Sequence, residues 1–166
     1  MPPAPCYIRL VLADSYIVPE CLIAPRSLGA LMSLYEGNFL KLTGLAPRLR
    51  TSGAGPGQHA ALVSCAGQDL DLHMTVEAAT RYTVDLRLTY LFPEPAGLIA
   101  DPDLRLRLYR DACMVEVLGW SGSHRHPVLR QFALDAGREL DRRWSRNTML
   151  GKWLDYLRDM GHAFSA

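Results

Sequence analysis

Three stretches of the chain alternate apolar and polar residues without a break. Leu70, Leu72, Met74 and Val76 alternate with Asp71, His73, Thr75 and Glu77. Tyr82, Val84, Leu86, Leu88 and Tyr90 alternate with Arg81, Thr83, Asp85, Arg87 and Thr89, and Leu104, Leu106 and Leu108 with Arg105, Arg107 and Tyr109. A side-chain period of two is that of a strand with one buried and one wet face. The pattern predicts strands over 59–65, 69–77, 80–91, 103–110 and 113–119. Only Ala78 and Ala79 separate the second from the third, which predicts a hairpin or a bulge there. Pro93, Pro95 and Pro102 make residues 93–102 a predicted surface connection, because proline donates no ladder hydrogen bond.

At both ends the period becomes helical. Ser27 is a suitable N-cap for a helix with apolar positions Leu28, Leu31, Leu34, Tyr35, Leu42 and Leu45, ended by Gly44 and Pro47. From Arg138 onward, Leu140, Trp144, Leu150, Trp153, Leu154 and Leu157 form one stripe, with Gly161 as its stop. Gly151 inside that stripe costs roughly 1 kcal/mol against Ala, which predicts close packing against the sheet. Trp153 is expected in the core, its indole N–H on a carbonyl or acidic partner. The fold expected is α+β: a five-stranded antiparallel meander with N- and C-terminal helices packed on one face. It occupies a single domain over 27–162, with a tail at 163–166. Residues 1–26 hold five of the eleven prolines and read as an irregular arm with a short strand near Tyr7–Leu12.

Composition changes this picture little. The 166 residues are 49% apolar and 21% charged, ordinary for a globular domain. A net charge of +1 steers the molecule toward neither nucleic acid nor an anionic membrane. No run approaches the ~18 to 20 apolar residues of a membrane span, and Asp14 and the early prolines argue against a secretory leader. Cys6, Cys21, Cys65 and Cys113 show no CxxC spacing, and Cys65 and Cys113 fall in predicted strands as buried thiols. Four reduced cysteines point to the cytoplasm.

Candidate chemistry is sparse. His124 and His126 have no Cys or acid beside them to complete a zinc site, and His59, His73 and His162 are scattered. Ser121 and Ser123 precede His124 outside a nucleophile-elbow context. Thr51–Gly57 lacks the Lys and Ser or Thr of a phosphate loop. No catalytic residue, metal site or cofactor is assigned. Arg81 and Arg87 share one strand face and Arg105 and Arg107 another, where Asp71, Glu77 and Asp85 can pair with them. This is either a cross-strand ladder or a patch that forks onto a small anion. Glu36, Asn38, Tyr109 and Asp111, beside Tyr35 and Arg110, sit at element ends and complete the candidate ligand-binding set. Arg125–Arg146 carries six arginines and three acids and reads as a solvated helix face.

The segments TRYT (Thr80–Thr83) and RLYRDA (Arg107–Ala112), Trp153-Leu154 with Tyr156 and Gly161, and YEGNF around Glu36, Asn38 and Phe39 resemble the YqiB-like family of small bacterial proteins of unknown function. The resemblance spans Leu28 to Gly161. It implies a cytoplasmic bacterial α+β domain and no activity. The function expected is that of a non-enzymatic interaction or regulatory domain, with a protein partner or self-association. The alternative is a binding module for a small anionic metabolite or nucleotide at the arginine-bearing face, an enzyme only if Glu36 or Asp111 reaches the ligand's reactive group.

Overall fold

The computed structural model describes residues 11–13, 16–18, 26–51, 60–67, 69–120 and 139–164. Cys6, Cys21, His59, Ser121, Ser123, His124, His126, residues 52–57 of the TSGAGPG loop and all of residues 125–138 lie outside them. In the arm, β1 (Val11–Ala13) pairs antiparallel with β2 (Tyr16–Val18).

Helix α1 (Leu28–Leu45) starts where Ser27 Oγ accepts the Ala30 N–H, at 3.2 Å. It ends when Pro47 opens a short 3-10 turn, Pro47–Arg50. Six strands follow: β3 (Ala60–Ser64), β4 (Leu72–Ala79), β5 (Thr83–Glu94), β6 (Gly97–Ala100), β7 (Leu104–Tyr109) and β8 (Met114–Gly119). Helix α2 (Glu139–Asp159) closes the fold. The sheet runs β3-β4-β5-β7-β8, every pairing antiparallel, and β6 also pairs with β5.

The sixth strand corrects the expected five. The segment 93–102 does not simply connect: Leu91↔Ala100 and Pro93↔Leu98 extend β5 into a further hairpin. Proline is tolerated there because the β4 register ends at Leu72↔Tyr90, so no second ladder needs its missing N–H. Residues 101–103 then step the returning chain from β6 to β7, with the Asp101 N–H donating to Tyr90 O at 3.0 Å. Strand β4 starts at Leu72, and Leu70 lies exposed before it. Its register shifts between Val76 and Ala78 before the chain turns through Thr80, Arg81 and Tyr82. That turn takes Tyr82 out of the buried phase, leaving it 51% exposed.

One row shows how the sheet makes its core. Val76 pairs with Leu86, Leu86 with Leu106, and Leu106 with Val117, and all four are buried. Phe39, Leu42 and Leu45 of α1 and Met149, Leu150, Trp153, Leu154 and Leu157 of α2 join the same cluster. Each fully buried Leu there contributes about 1.5–3 kcal/mol. Trp153 is 1% exposed and meets Tyr90 edge to face, with ring centroids 5.6 Å apart. Its N–H departs from expectation. Nε1 lies in the field of the Tyr90 hydroxyl without reaching hydrogen-bond geometry.

Gly151 departs too, because its neighbour is α1, not the sheet. A Cβ built on it would stand 2.7 Å from Asn38 Oδ1. Asn38 is buried and donates Nδ2 to Asn147 O at 2.8 Å, and Lys41 ion-pairs with Asp155 at 2.6 Å. Asn147 Oδ1 accepts the Val117 N–H, so α2 caps part of the outer edge of β8. Past the helix, Phe164 is buried and its N–H donates to Leu45 O at 2.8 Å. The two described cysteines are also corrected. Cys65 follows the last residue of β3, Cys113 sits in the β7–β8 turn at φ 52°, and both are free and exposed.

Candidate functional site

Strand register places the predicted arginines. Asp85 is directly opposite Arg107, and Arg87 directly opposite Arg105. Arg107 forks onto Asp85 with Nε and Nη2 each 2.7 Å from a carboxylate oxygen. Arg87 forks in the same way onto Asp103, which ends the step between β6 and β7. Arg105 reaches Glu77 of β4 at 3.4 Å. The Arg107 guanidinium holds the Asp85 carboxyl below its ordinary range, against the opposing effect of burial. Three of the four face arginines therefore carry a carboxylate each. The fourth, Arg81, stands in the β4–β5 turn over the Tyr82 ring, 5.1 Å from its centroid.

The element-end residues divide. Tyr109 Oη donates to Glu116 Oε1 at 2.6 Å, and Arg143 Nη1 of α2 donates to Glu116 Oε2 at 3.2 Å. The buried Tyr35 hydroxyl lies in the field of that Arg143–Glu116 pair, and burial pushes its proton affinity up. Asn38 joins α1 to α2 as described. Glu36 stands apart on the exposed side of α1. Asp111 is exposed in the β7–β8 turn, where its carboxylate accepts the Ala112 N–H at 3.0 Å.

Arg110, beside Asp111, gathers three turns. Its N–H donates to Tyr82 O at 2.8 Å and its Nε to Leu49 O at 3.1 Å. Its Nη1 donates to Thr80 O and Arg81 O. The segments Thr80–Thr83 and Arg107–Ala112, far apart in sequence, thus meet at one guanidinium.

The most connected polar centre was not picked out from the sequence. Asp69, in the turn before β4, accepts from four donors. Tyr90 Oη is 2.7 Å from Oδ2, His162 Nε2 3.1 Å from Oδ2, Tyr156 Oη 3.3 Å from Oδ1, and the Leu70 N–H 2.9 Å from Oδ1. The other imidazole nitrogen, Nδ1, is 3.2 Å from Ser64 Oγ, and Ser64 Oγ accepts the Ala163 N–H at 3.0 Å. This pattern assigns the proton to Nε2, with the Ser64 hydroxyl donating to Nδ1. Burial works to raise the Asp69 carboxyl. The Tyr90, Leu70 and His162 hydrogen bonds outweigh it and hold the group below its ordinary range. Burial and the Asp69 charge push Tyr90 far above the usual phenol range, so it remains a donor.

Serine, histidine and aspartate in hydrogen-bonded series have the connectivity of a hydrolytic triad. Ser64 and His162 are each only 3% exposed, and the Ser64 oxygen is occupied by a main-chain N–H. That oxygen is committed to the Ala163 N–H and the imidazole within the fold. What the series does is tie the segment after α2 to the end of β3 and the start of β4. One sequence signal was available: Ser64 and Tyr90 are polar residues on the buried phase of their strands. Of the exposed thiols, Cys65 is held toward its protonated form, chiefly by its hydrogen bond with Asp71.

Among the described residues no helix is long and apolar enough to cross a membrane. Comparison with curated proteins and with solved structures finds no match. A family model described as protein of unknown function (DUF1249) matches residues 41–163, from within α1 to the Ala163 that donates to Ser64. Both helices, in part or whole, and all six strands of the main sheet fall in that span, and by it the chain belongs to the DUF1249 family.

Proposed function

We propose that this chain is a YqiB-like, cytoplasmic bacterial interaction domain that acts by docking a protein partner or a second copy, without catalysis. The observation that carries this reading is the sheet face. Arg87, Arg105 and Arg107 are matched by Asp103, Glu77 and Asp85, so a small anion would have to displace a carboxylate already in place. A face of alternating charge is instead suited to a protein surface of the reverse pattern, where electrostatics sets register and partner choice. Val63 and Leu118, exposed on β3 and β8 at the two sides of the sheet, add apolar contact. The free thiols Cys65 and Cys113 support a reducing compartment.

Light scattering after size exclusion, with capture from a bacterial lysate, tests the proposal. The expected result is a dimer or a retained partner that Arg105→Glu releases at unchanged melting temperature. A strict monomer that retains nothing, or retention indifferent to Arg105→Glu, overturns it.

A further inference from the structure

The arginines at the turn end of the sheet differ from those on its face. Arg48 and Arg50 flank Leu49 in the 3-10 turn, Arg81 sits in the β4–β5 turn, and Arg110 in the β7–β8 turn. Arg110 holds the three turns together through Leu49, Thr80, Arg81 and Tyr82 carbonyls. None of the four has a carboxylate within ion-pair distance among the described residues. Arg50 donates Nε to Thr43 Oγ1 at 3.0 Å and lies over the Phe39 ring. Arg48 and Arg81 are exposed, and the exposed Tyr82 ring lies under the Arg81 guanidinium. The one carboxylate on these turns, Asp111, is exposed and accepts a main-chain N–H.

A carbonyl cage explains the position of Arg110. It does not explain why the three turns that Arg110 joins carry three further arginines and one carboxylate. Carbonyl dipoles leave the charge in place, and a positive field without matching carboxylates favours the arrival of an anion. We infer that this corner binds an acidic segment of a partner protein, with Arg48, Arg81 and Arg110 taking its carboxylates and Tyr82 packing against its backbone or an apolar side chain. Arginine and tyrosine are the residue types that concentrate binding energy at protein interfaces. A nucleic acid is the poorer fit. The chain has 18 basic and 17 acidic residues, without the strong basic excess of a domain that gathers many phosphates. A short acidic segment needs only a local field, which fades over about 8 Å at physiological salt.

The inference rests on the interaction-domain reading and names the partner's chemistry. Its test uses the full chain, a fluorescein-labelled oligoglutamate peptide and a labelled oligothymidylate, read by fluorescence anisotropy at physiological ionic strength. Arg110 is left intact because it holds the turns. The double variant Arg48→Glu, Arg81→Glu is checked by its melting temperature. Oligoglutamate is expected to bind the wild type, more weakly as salt rises, and the folded double variant about tenfold or more less tightly. Equal binding to both proteins overturns the inference, as does no binding to either. Tighter binding of oligothymidylate replaces it with a nucleic-acid surface. A partner retained from lysate by the double variant as by the wild type leaves the interaction domain standing and removes this corner from it.

Discussion

Asp69 and Asp85 are two carboxylates doing similar chemistry in different solvents. Asp85 faces one fork of Arg107 on the wet side of the sheet, and its side chain is 26% exposed. Asp69 is 11% exposed and takes hydrogen bonds from an imidazole, two phenols and an amide. Both are held below the ordinary carboxyl range. In the open ladder, water replaces a lost partner and the net worth of the pair is small. In the enclosed centre a lost carboxylate leaves several donors facing one another with no acceptor. The number of ion pairs therefore says little about what holds this protein together. Their access to water says more.

The largest effect belongs to the wall of the enclosed centre. Trp153→Ala removes the indole that packs on Tyr90 and is expected to destabilise the fold by about 3–5 kcal/mol, read from a denaturant midpoint. A loss under about 1 kcal/mol would place Trp153 outside the core.

Asp69→Ala follows, at about 3 kcal/mol, because Tyr90, Tyr156 and His162 lose their common acceptor. The same group sets an acid limb. Its folded pKa lies below the unfolded value of about 3.9, so the native state favours the charged form. That contribution is fully present above about pH 5 and disappears as pH falls through the folded pKa. Asp69→Asn should flatten the corresponding part of the stability profile between pH 5 and 3, relative to wild type, in acid titrations followed by circular dichroism. An unchanged profile would show that Asp69 is not linked to folding.

Gly151→Ala tests a contact of intermediate kind. The added methyl meets Asn38 Oδ1 at 2.7 Å, and Asn38 cannot swing away without releasing Asn147 O. Crowding of about 1–3 kcal/mol opposes a helix-propensity gain of about 1 kcal/mol. The expected result is a net loss of about 1 kcal/mol in thermal unfolding, with a stabilised variant as the contrary outcome. The smallest effect is in the ladder. A double-mutant cycle over Asp85→Ala and Arg107→Ala should give a coupling below about 1 kcal/mol that shrinks with added salt. A salt-insensitive coupling of several kcal/mol would erase the distinction between the two carboxylates.

The elements and the charged face differ in how much of them could be read beforehand. The phase of β5 was legible from Val84 to Tyr90 because period two depends only on adjacent residues. Helix α1 was legible to its boundaries because Ser27 and Pro47 act on the first and last turn. The β6 hairpin was hidden by its prolines, whose tolerance depends on which strand flanks them. Tyr82 was misplaced because the shift at Val76 and Ala78 moves the turn away from Ala78 and Ala79. Of the candidate ligand residues, the alternation showed that Arg87, Arg105 and Arg107 share the wet face. It could not show that Asp103, from the step after β6, would claim Arg87.

The α+β class, the inward face of each central strand and the two helices that cover it are already written in the residue pattern. These follow from periods of two and 3.6 and from caps, all of which act within a few residues. Which polar groups meet is settled by the folded chain. His162 and Asp69 are 93 residues apart in the chain, and Arg110 lies 61 residues from Leu49. Such encounters depend on strand register, on the bulge in β4 and on where α2 delivers the chain after Gly161. A local pattern specifies a side chain's face, while its partner is chosen by the packing of distant elements.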